Sequence, residues 1–446
     1  AMPLLLAISP PAIRGFKAIG VNQQVLAFSF QLSVVTGILF GLIPAVAASS
    51  ARPGEALRQG ERGSSGRGRR GRSLLVATEV GLSLVLLIGA GLTIRSFKNL
   101  MQVDPGFTSE RLLIFNVGLP SSANEERQIQ FYQQVVERLQ TLPGVERAGA
   151  VSRLPLSGGN SNRTFNLTGS DTEHSADVRV ATPEYFRTMG VPLLRGRNFT
   201  ERDTKSSVSV AIINDALART VFAGQDPIGQ YIVNIGPKNE KLEIVGVVGD
   251  VRHLALQTAP RPEIYQPVGQ ATWPSMFVAV RSVSTNPLAL TAAVQNVVAS
   301  VNEEMPLGNV RTMEDIIAAT MMQRKFTMLL LTIFAGVALL LAVIGLYGVI
   351  SYSVSQRTRE LGIRVALGAQ RSHVLKLVVG QGMAVVGIGL LLGVVASVAL
   401  TRLMSALLFG VSATDTATFV GFSVVLGGVA LVPAGCQPAG RAKSIR

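Results

Sequence analysis

The sequence predicts an α-helical membrane protein that carries a large α+β domain on the extracytoplasmic side of the membrane. Three observations support this fold class: five apolar runs almost free of charge, an excess of Lys and Arg confined to three short stretches, and one long block of balanced charge. A helix of about 20 apolar residues crosses the hydrocarbon of a bilayer. The block of residues 95–326 has 23 Lys and Arg against 22 Asp and Glu, so it contributes only +1 of the formal net charge of +14.

The apolar runs and the basic stretches define one arrangement across the bilayer. The basic stretches are the linker 52–72, the loop 353–376 and the tail 437–446, and the positive-inside rule places all three in the cytoplasm. The spans then alternate in direction, and the balanced block lies outside the cell's cytoplasm. The predicted spans are Val25–Ala48, Leu74–Ile94, Thr327–Tyr352, Leu377–Leu400 and Thr416–Gly435.

These features divide the chain into six segments. In order they are 1–50 with a solitary span, 51–73 as a basic cytoplasmic linker, 74–94 as a second span, 95–326 as the extracytoplasmic domain, 327–435 with three spans and a cytoplasmic loop at 353–373, and 436–446 as a cytoplasmic tail. Helical patterns continue through Ile94–Met101 and Met313–Phe326, so we expect stalk helices at both ends of the domain. Residues 1–24 have neither a basic start nor a cleavage site, and we expect the sequence to begin within a longer protein.

The extracytoplasmic block mixes strand and helix patterns, which favours an α+β fold with room for two subdomains. Apolar residues recur at helical spacing in Glu125–Leu142, and Pro287–Asn302 begins with a proline suited to the first turn of a helix. Runs rich in β-branched residues and bounded by Gly, Pro or charged residues predict the strands Leu112–Val117, Val208–Ile213, Leu242–Val248 and Met276–Arg281.

Several functional classes find little support in the sequence. The Arg-rich linker has no interleaved aromatic residues and follows a span directly, so we expect no nucleic-acid partner and assign the linker to the anionic inner leaflet. The single Cys436 excludes intramolecular disulfides. No Gly-x-x-x-x-Gly-Lys-Ser/Thr string occurs, so these residues lack the loop that holds nucleotide phosphates.

Few residues suggest catalysis or metal binding. The histidines at 174, 253 and 373 lack metal-ligand spacing, and the string Ser157–Gly159 lacks the Gly-x-Ser-x-Gly elbow. Glu79 is the one acid within a span, and it lies close enough to Arg72 to reach the membrane interface. We therefore expect no catalytic, cofactor-binding or metal-binding residues. The small-residue pairs Gly37/Gly41 and Gly389/Gly393 favour close helix packing.

The strongest local signal is the cytoplasmic string Gln356–Ala369, which reads Gln-Arg-Thr-Arg-Glu-Leu-Gly-Ile-Arg-Val-Ala-Leu-Gly-Ala. On a helix, Arg357, Glu360 and Arg364 fall on one stripe, and Gly368 suits the stop. A short charged helix between two spans suits contact with a cytoplasmic partner, although a solvated loop that obeys the positive-inside rule fits equally well.

This loop is similar to the signature between two spans of MacB/FtsX-type ABC transporter permeases. The solitary first span and Pro53–Arg58 resemble the end of a preceding FtsX-like module, as in the duplicated-permease branch of that family, whereas Cys436–Arg446 departs from the family pattern. Further strings in the block resemble the MacB-like periplasmic core domain, namely Val103–Phe107, Leu142–Val145, Gly196–Phe199, Asp226–Gly229 and Val245–Arg252.

The resemblance implies a permease subunit that transmits the motion of a separate ABC ATPase subunit through the membrane to the extracytoplasmic domain. ATP would then be hydrolysed by the partner, and this chain would bind no cofactor. The resemblance also allows a homodimer or a second permease module, a periplasmic adaptor and an outer-membrane channel as partners in a bacterial cytoplasmic (inner) membrane. The residues implied to couple to the ATPase are Arg357, Arg359, Glu360, Gly362, Arg364 and Gly368.

Two other functional classes stay open at this stage. One is a membrane-bound sensor or scaffold whose external domain binds a ligand, and the other is a membrane-anchored enzyme. Association with an ATPase that depends on Glu360 and Arg364 would separate the permease from the sensor. The substrate is not indicated by any residue of the external block.

Overall fold

The computed structural model describes a membrane-type helical unit and a separate α+β unit. The first unit comprises residues 1–101 and 323–446, and the second comprises residues 102–322. The described residues are 65–120, 123–235, 240–303, 305–356, 371–405 and 408–441, together with short helical pieces between 23 and 38.

Eight helices are numbered here in chain order. They are α1 (Ser65–Met101), α2 (Glu125–Gln140), α3 (Tyr185–Met189), α4 (Asp215–Val221), α5 (Thr291–Val301), α6 (Met313–Gln356), α7 (Arg371–Leu403) and α8 (Thr416–Arg441). A 3₁₀ turn, Pro287–Leu290, precedes α5 and has its proline in the first turn, as predicted.

Three described helical segments are long and apolar enough to cross a membrane: Ser73–Met101, Met313–Gly348 and Gly382–Leu403. They contain most of the second, third and fourth predicted spans. The fifth prediction coincides with α8, whose described apolar part, Thr416–Leu431, is shorter than these three. The first predicted span, Val25–Ala48, falls largely outside the described residues.

Eleven described strands form the sheet of the second unit. They are β1 (Leu112–Gly118), β2 (Val145–Val151), β3 (Asn162–Leu167), β4 (His174–Ala181), β5 (Leu193–Gly196), β6 (Val210–Asn214), β7 (Tyr231–Ile235), β8 (Glu240–Val248), β9 (Glu263–Pro267), β10 (Ser275–Ser282) and β11 (Gly308–Thr312).

One half of the sheet is an antiparallel layer in the order β11-β1-β10-β2, covered on one face by α2 and α5. Alternate residues of β1 point toward these helices, as the period of two in a strand requires. The shared core is fully buried and includes Leu113, Phe115, Val117, Tyr132, Val135, Val278, Val280, Val294 and Val298.

The other half closes on itself. Strands pair in the ring β4-β3-β7-β8-β6-β9, and β9 returns to β4 as its parallel neighbour. Closing a sheet into a barrel removes its free edges. The core of this lobe includes Phe165, Val178, Ile213, Ile232, Leu242, Ile244 and Ile264.

The structure confirms the four predicted strands and both predicted helices of the block, with ends shifted by one to a few residues. Sequence patterns missed seven strands, including β3 and β4. The strand β4 is buried on both faces, but its central residues include the charged Asp177 and Arg179, so it has no hydrophobic run that would predict a buried strand. Tertiary contacts, rather than a hydrophobic run, decide the structure of such a segment.

Candidate functional site

The predicted coupling residues lie between the end of α6 and the start of α7. Arg357, Arg359, Glu360, Gly362, Arg364 and Gly368 fall outside the described residues, so their role stays a prediction. The two helices on either side of the loop, α6 and α7, are described, and both contact α1.

Helix α7 packs on α1 through small residues that let the two backbones approach closely. A methyl group on Gly389 would lie 2.6 Å from the carbonyl oxygen of Ala77, and one on Gly393 would lie 2.9 Å from that of Gly81. Such distances are shorter than any normal contact of a Cβ atom. The predicted small-residue pair Gly389/Gly393 thus forms a contact within this chain. The other pair, Gly37/Gly41, falls in a part of the chain that is not described.

Helix α6 packs on another face of α1 through polar groups. The hydroxyl of Ser83 donates to the carbonyl oxygen of Ala338 at 2.8 Å. One turn away, the half-buried Glu79 carboxylate lies against Gly345, where a methyl group would overlap it. The sequence placed Glu79 at the membrane interface, and the structure adds that it faces a helix neighbour rather than pointing away from the bundle.

The C-terminal end of α1 is held by the segment that precedes α8. Arg95 donates to Asp415 at 2.5 Å, Asn99 donates to the carbonyl oxygen of Gly410 at 2.8 Å, and the hydroxyl of Ser96 accepts from the amide of Phe409 at 2.8 Å. Asp415 also caps α8 by accepting from the amide of Thr418. These contacts tie helix ends that are more than 300 residues apart in sequence.

In the second unit, four of the five strings that resemble the periplasmic core domain meet at β8 and the residues just after it, and Leu142–Val145 lies elsewhere. A methyl group on Gly196 would overlap the carbonyl oxygen of Val245, and the amide of Gly229 donates to the carbonyl oxygen of Ile244 at 2.8 Å. Gly106 is in the left-handed region at φ 82° and packs on the carbonyl of Asp250. Glycine is suited to both requirements. The glycines of these strings therefore allow close backbone packing.

A group of polar side chains, which we call the buried charge cluster, comprises Arg179 of β4, Glu263 and Tyr265 of β9, and His253. Arg179 Nη2 donates to Glu263 Oε1 at 3.0 Å, and the hydroxyl of Tyr265 donates to Glu263 Oε2 at 2.6 Å. His253 Nε2 lies 3.1 Å from the same Oε2 atom. The Arg179 and Glu263 side chains are each 1% exposed. Neighbouring parallel strands place both charges on one face, where Tyr185 and Phe186 of α3 cover them.

Burial and charge set the protonation states of this cluster. Burial lowers the pKa of His253, and its Nδ1 atom has no hydrogen-bond partner among the described residues, which suits a neutral ring that donates from Nε2. Burial alone would raise the pKa of Glu263, but its contacts with His253, Arg179 and Tyr265 outweigh burial and lower it. Glu263 is therefore the anion that balances Arg179. The sequence analysis missed this pairing. The one available signal was a charged residue next to β-branched residues, with Val178 and Val180 on either side of Arg179 and Ile264 after Glu263.

The cluster predicts that the second unit loses stability as the pH falls from 7 toward 5. The folded pKa of His253 lies below the unfolded value of about 6.5. The unfolded chain therefore binds a proton first, and stability declines as the pH drops. Glu263, whose folded pKa is also lowered, adds to the loss in more acidic solution, below about pH 4.3. His253→Gln keeps a donor for Glu263 and should flatten the slope between pH 7 and 5.

Urea unfolding of the full chain in detergent measures this effect. The emission of Trp273, the single tryptophan and a residue of the second unit, reports the transition. His174→Gln is the control for the loss of a histidine, because His174 lies on β4 outside the cluster and stacks on Phe165. A His253→Gln protein that keeps the original pH slope would contradict the assignment.

Two family models match the chain, and together they cover most of it. Residues 74–304 match the MacB-like periplasmic core domain, and residues 332–437 match the FtsX-like permease C-terminal model. The chain belongs to the family of MacB/FtsX-like ABC transporter permeases. Membership confirms the resemblance drawn from the sequence strings.

Curated relatives of this permease carry the MacB name. The chain is 26% identical over 292 residues to "Macrolide export ATP-binding/permease protein MacB" of Neisseria meningitidis serogroup A, which covers 63% of this chain and 44% of that protein. The protein of the same name from Wolinella succinogenes is 23% identical over 305 residues, covering 66% and 45%. The permease chain spans less than half the length of these relatives.

Solved structures with some similarity to this permease come from the external domains of transporters. The periplasmic region of MacB from Actinobacillus actinomycetemcomitans is 14% identical with a TM-score of 0.33, and the match covers 49% of this chain and 95% of that one. The extracellular domain of the transporter YknZ from Gram-positive bacteria is 16% identical with a TM-score of 0.32, covering 44% and 100%.

Proposed function

We propose that this chain is the permease subunit of a MacB/FtsX-type ABC transporter, a multi-pass protein of the bacterial cytoplasmic (inner) membrane. In this proposal it transmits the ATP-driven motion of a separate ATPase subunit to its extracytoplasmic domain, for export or for other mechanical work. ATP is bound and hydrolysed by the partner, and no cofactor is held by this chain.

The observation that carries the proposal is the position of the string Gln356–Ala369. It lies within the FtsX-like match and directly joins α6 to α7, and both helices contact α1. A push on this loop would act on both helices at once. Its alternating charges suit contact with a charged protein surface, because complementary charges fix orientation and suppress wrong partners.

Helix α6 suits the transmission of such a push. It is 44 residues long, whereas a bilayer needs about 20. Its start is fixed by a capping box, in which the Thr312 hydroxyl accepts from the amide of Asp315 at 3.0 Å and the Asp315 carboxylate accepts from the amide of Thr312 at 3.3 Å. We propose that α6 passes displacement along its axis.

Exchanging two charges in the loop tests the coupling. Glu360→Arg combined with Arg364→Glu reverses the local pattern but keeps the number of basic residues, so the positive-inside signal is unchanged. We expect copurification of the ATPase to be lost and stimulation of its ATP hydrolysis to fall by about tenfold or more. Disrupting charge pairs in an interface weakens binding by at least about this factor.

A matched exchange in the basic linker provides the control. Glu61→Arg combined with Arg62→Glu makes the same change of residue types in the other cytoplasmic segment, and it should leave ATPase association intact. If the loop exchange left association and stimulation at the level of this control, the coupling role of Glu360 and Arg364 would be refuted.

A further inference from the structure

A cleft of about 460 Å³ lies in the second unit, on the face of the antiparallel layer away from α2 and α5. Its walls come from three strands, β1, β10 and β11, from the segment that follows β2 and from the residues just before β10. The lining includes Asn116, Arg153, Trp273, Ser275, Phe277 and Asn309. Clefts of a few hundred Å³ are the size that holds small organic ligands.

The central feature of the cleft is a guanidinium group that has no counter-ion among the described residues. Arg153 makes no hydrogen bond or ion pair with any described residue, and its Nε atom is buried without a partner. The carbon of the guanidinium lies 5.5 Å from the ring centre of Trp273, within the range of a cation–π contact. A buried N–H donor without a partner is costly, and an anion bound by the guanidinium would satisfy it.

The segment after β2 holds Arg153 in place. Gly158 and Gly159 are in the left-handed region at φ 77° and 82°, and the chain turns back so that Gly159 packs on the guanidinium. A methyl group on Gly159 would lie 3.2 Å from Arg153 Nη1. The string Ser157–Gly159, which lacks the pattern of a catalytic elbow, thus serves to position an Arg side chain.

The other walls indicate what accompanies the anion. Trp273 and Phe277 present half-buried aromatic surface to the cleft. Neither the indole N–H of Trp273 nor the side-chain amide of Asn309 hydrogen-bonds to a described residue. Asn116 and Ser275 are already engaged, since the Ser275 hydroxyl donates to Asn116 Oδ1 at 2.9 Å. Within the described part of the chain, no acidic residue lines the cleft.

We propose that this cleft binds a small carboxylate attached to an aromatic or similarly flat apolar group. The carboxylate accepts from the Arg153 guanidinium, and the apolar group lies against Trp273 and Phe277. The inference does not depend on the proposed coupling to an ATPase, because binding to the cleft needs neither the partner nor the loop at Arg357–Gly368.

The probe for this site is 2-naphthoate, added to the full chain in detergent micelles. Trp273 is the single tryptophan of the protein, so quenching of its emission reports occupancy of the cleft directly. We expect saturable quenching, with 2-naphthamide at least about tenfold weaker because it lacks the charge that pairs with Arg153. Inorganic phosphate should not displace 2-naphthoate, because it has no apolar group that could pack on Trp273 and Phe277.

Three variants separate the cleft from partition into the micelle. Arg153→Gln should weaken the binding of 2-naphthoate at least about tenfold. The affinity of Arg153→Lys should lie between those of Arg153→Gln and the original protein, because Lys keeps the charge but lacks the planar guanidinium. Arg163→Gln, at an exposed position on β3, is the control and should bind as the original protein does.

Two further measurements complete the test. The urea midpoint from Trp273 emission shows whether Arg153→Gln is folded, and equilibrium dialysis of Trp273→Phe should show weakened binding without relying on the fluorophore. The absence of saturable binding at millimolar 2-naphthoate would overturn the proposal. Equal binding of 2-naphthoate and 2-naphthamide, or unchanged binding by a folded Arg153→Gln protein, would also overturn it.

Discussion

Replacing Glu263 with Gln is expected to lower the free energy of unfolding of the second unit by about 3–5 kcal/mol, because removing one partner of a buried ion pair leaves the other charge uncompensated. Arg179 would then be a buried cation that has lost its ion-pair partner. Gln preserves the size of the side chain, so the loss reports charge rather than a cavity. Urea unfolding of the full chain in detergent, followed by Trp273 emission, measures the change.

Two matched variants make this result specific. Arg187→Ala removes an ion pair with Glu184 in which the Arg187 side chain is 61% exposed, and it should change stability by no more than about 0.5 kcal/mol. Arg179→Met combined with Glu263→Leu replaces the whole pair with apolar groups, and it should recover most of the loss. If Glu263→Gln behaved like Arg187→Ala, the cluster would not be an ion pair that the domain depends on.

Replacing Gly389 or Gly393 with Val should prevent the normal packing of α7 on α1. The first added carbon at Gly389 would lie 2.6 Å from a backbone oxygen of α1, and backbone atoms cannot rotate away as a side chain does. The helices must separate, which sacrifices the close contacts that hold membrane helices together. We expect a large loss of monodisperse protein after detergent extraction, measured by size-exclusion chromatography before and after heating.

Gly387 supplies the control on the same helix. A methyl group at Gly387 would meet no atom within 4 Å, so Gly387→Val adds the same side chain without crowding a described neighbour. Gly387→Ala should be neutral or slightly stabilising, whereas Gly389→Ala should already destabilise the protein, because overpacking costs about 1–3 kcal/mol. Equal stability of the Gly387 and Gly389 variants would show that the close contact of Gly389 with α1 does not determine the stability of the protein.

The sequence by itself determined the features that depend on composition over long windows. The apolar runs at Leu74–Ile94, Thr327–Tyr352 and Leu377–Leu400 need no partner to be recognised, because the cost of unsatisfied backbone groups in hydrocarbon forces each one to be helical. The charge balance of residues 95–326 marked out the block that forms the second unit in the same way. The family strings were recognisable in part because Gly106 and Gly196 have a positive φ, a backbone conformation that favours glycine.

Tertiary structure alone decided the features that depend on distant residues. The ring of six strands closes only because β9 pairs with β4. These strands are far apart in the sequence, and no local sequence pattern predicts their pairing. Arg179 and Glu263 look like surface charges until parallel neighbours bring them together on one buried face. In the same way, the cleft at Arg153 exists because separate strand ends meet around a single Trp, and that juxtaposition is a property of the assembled sheet rather than of any segment.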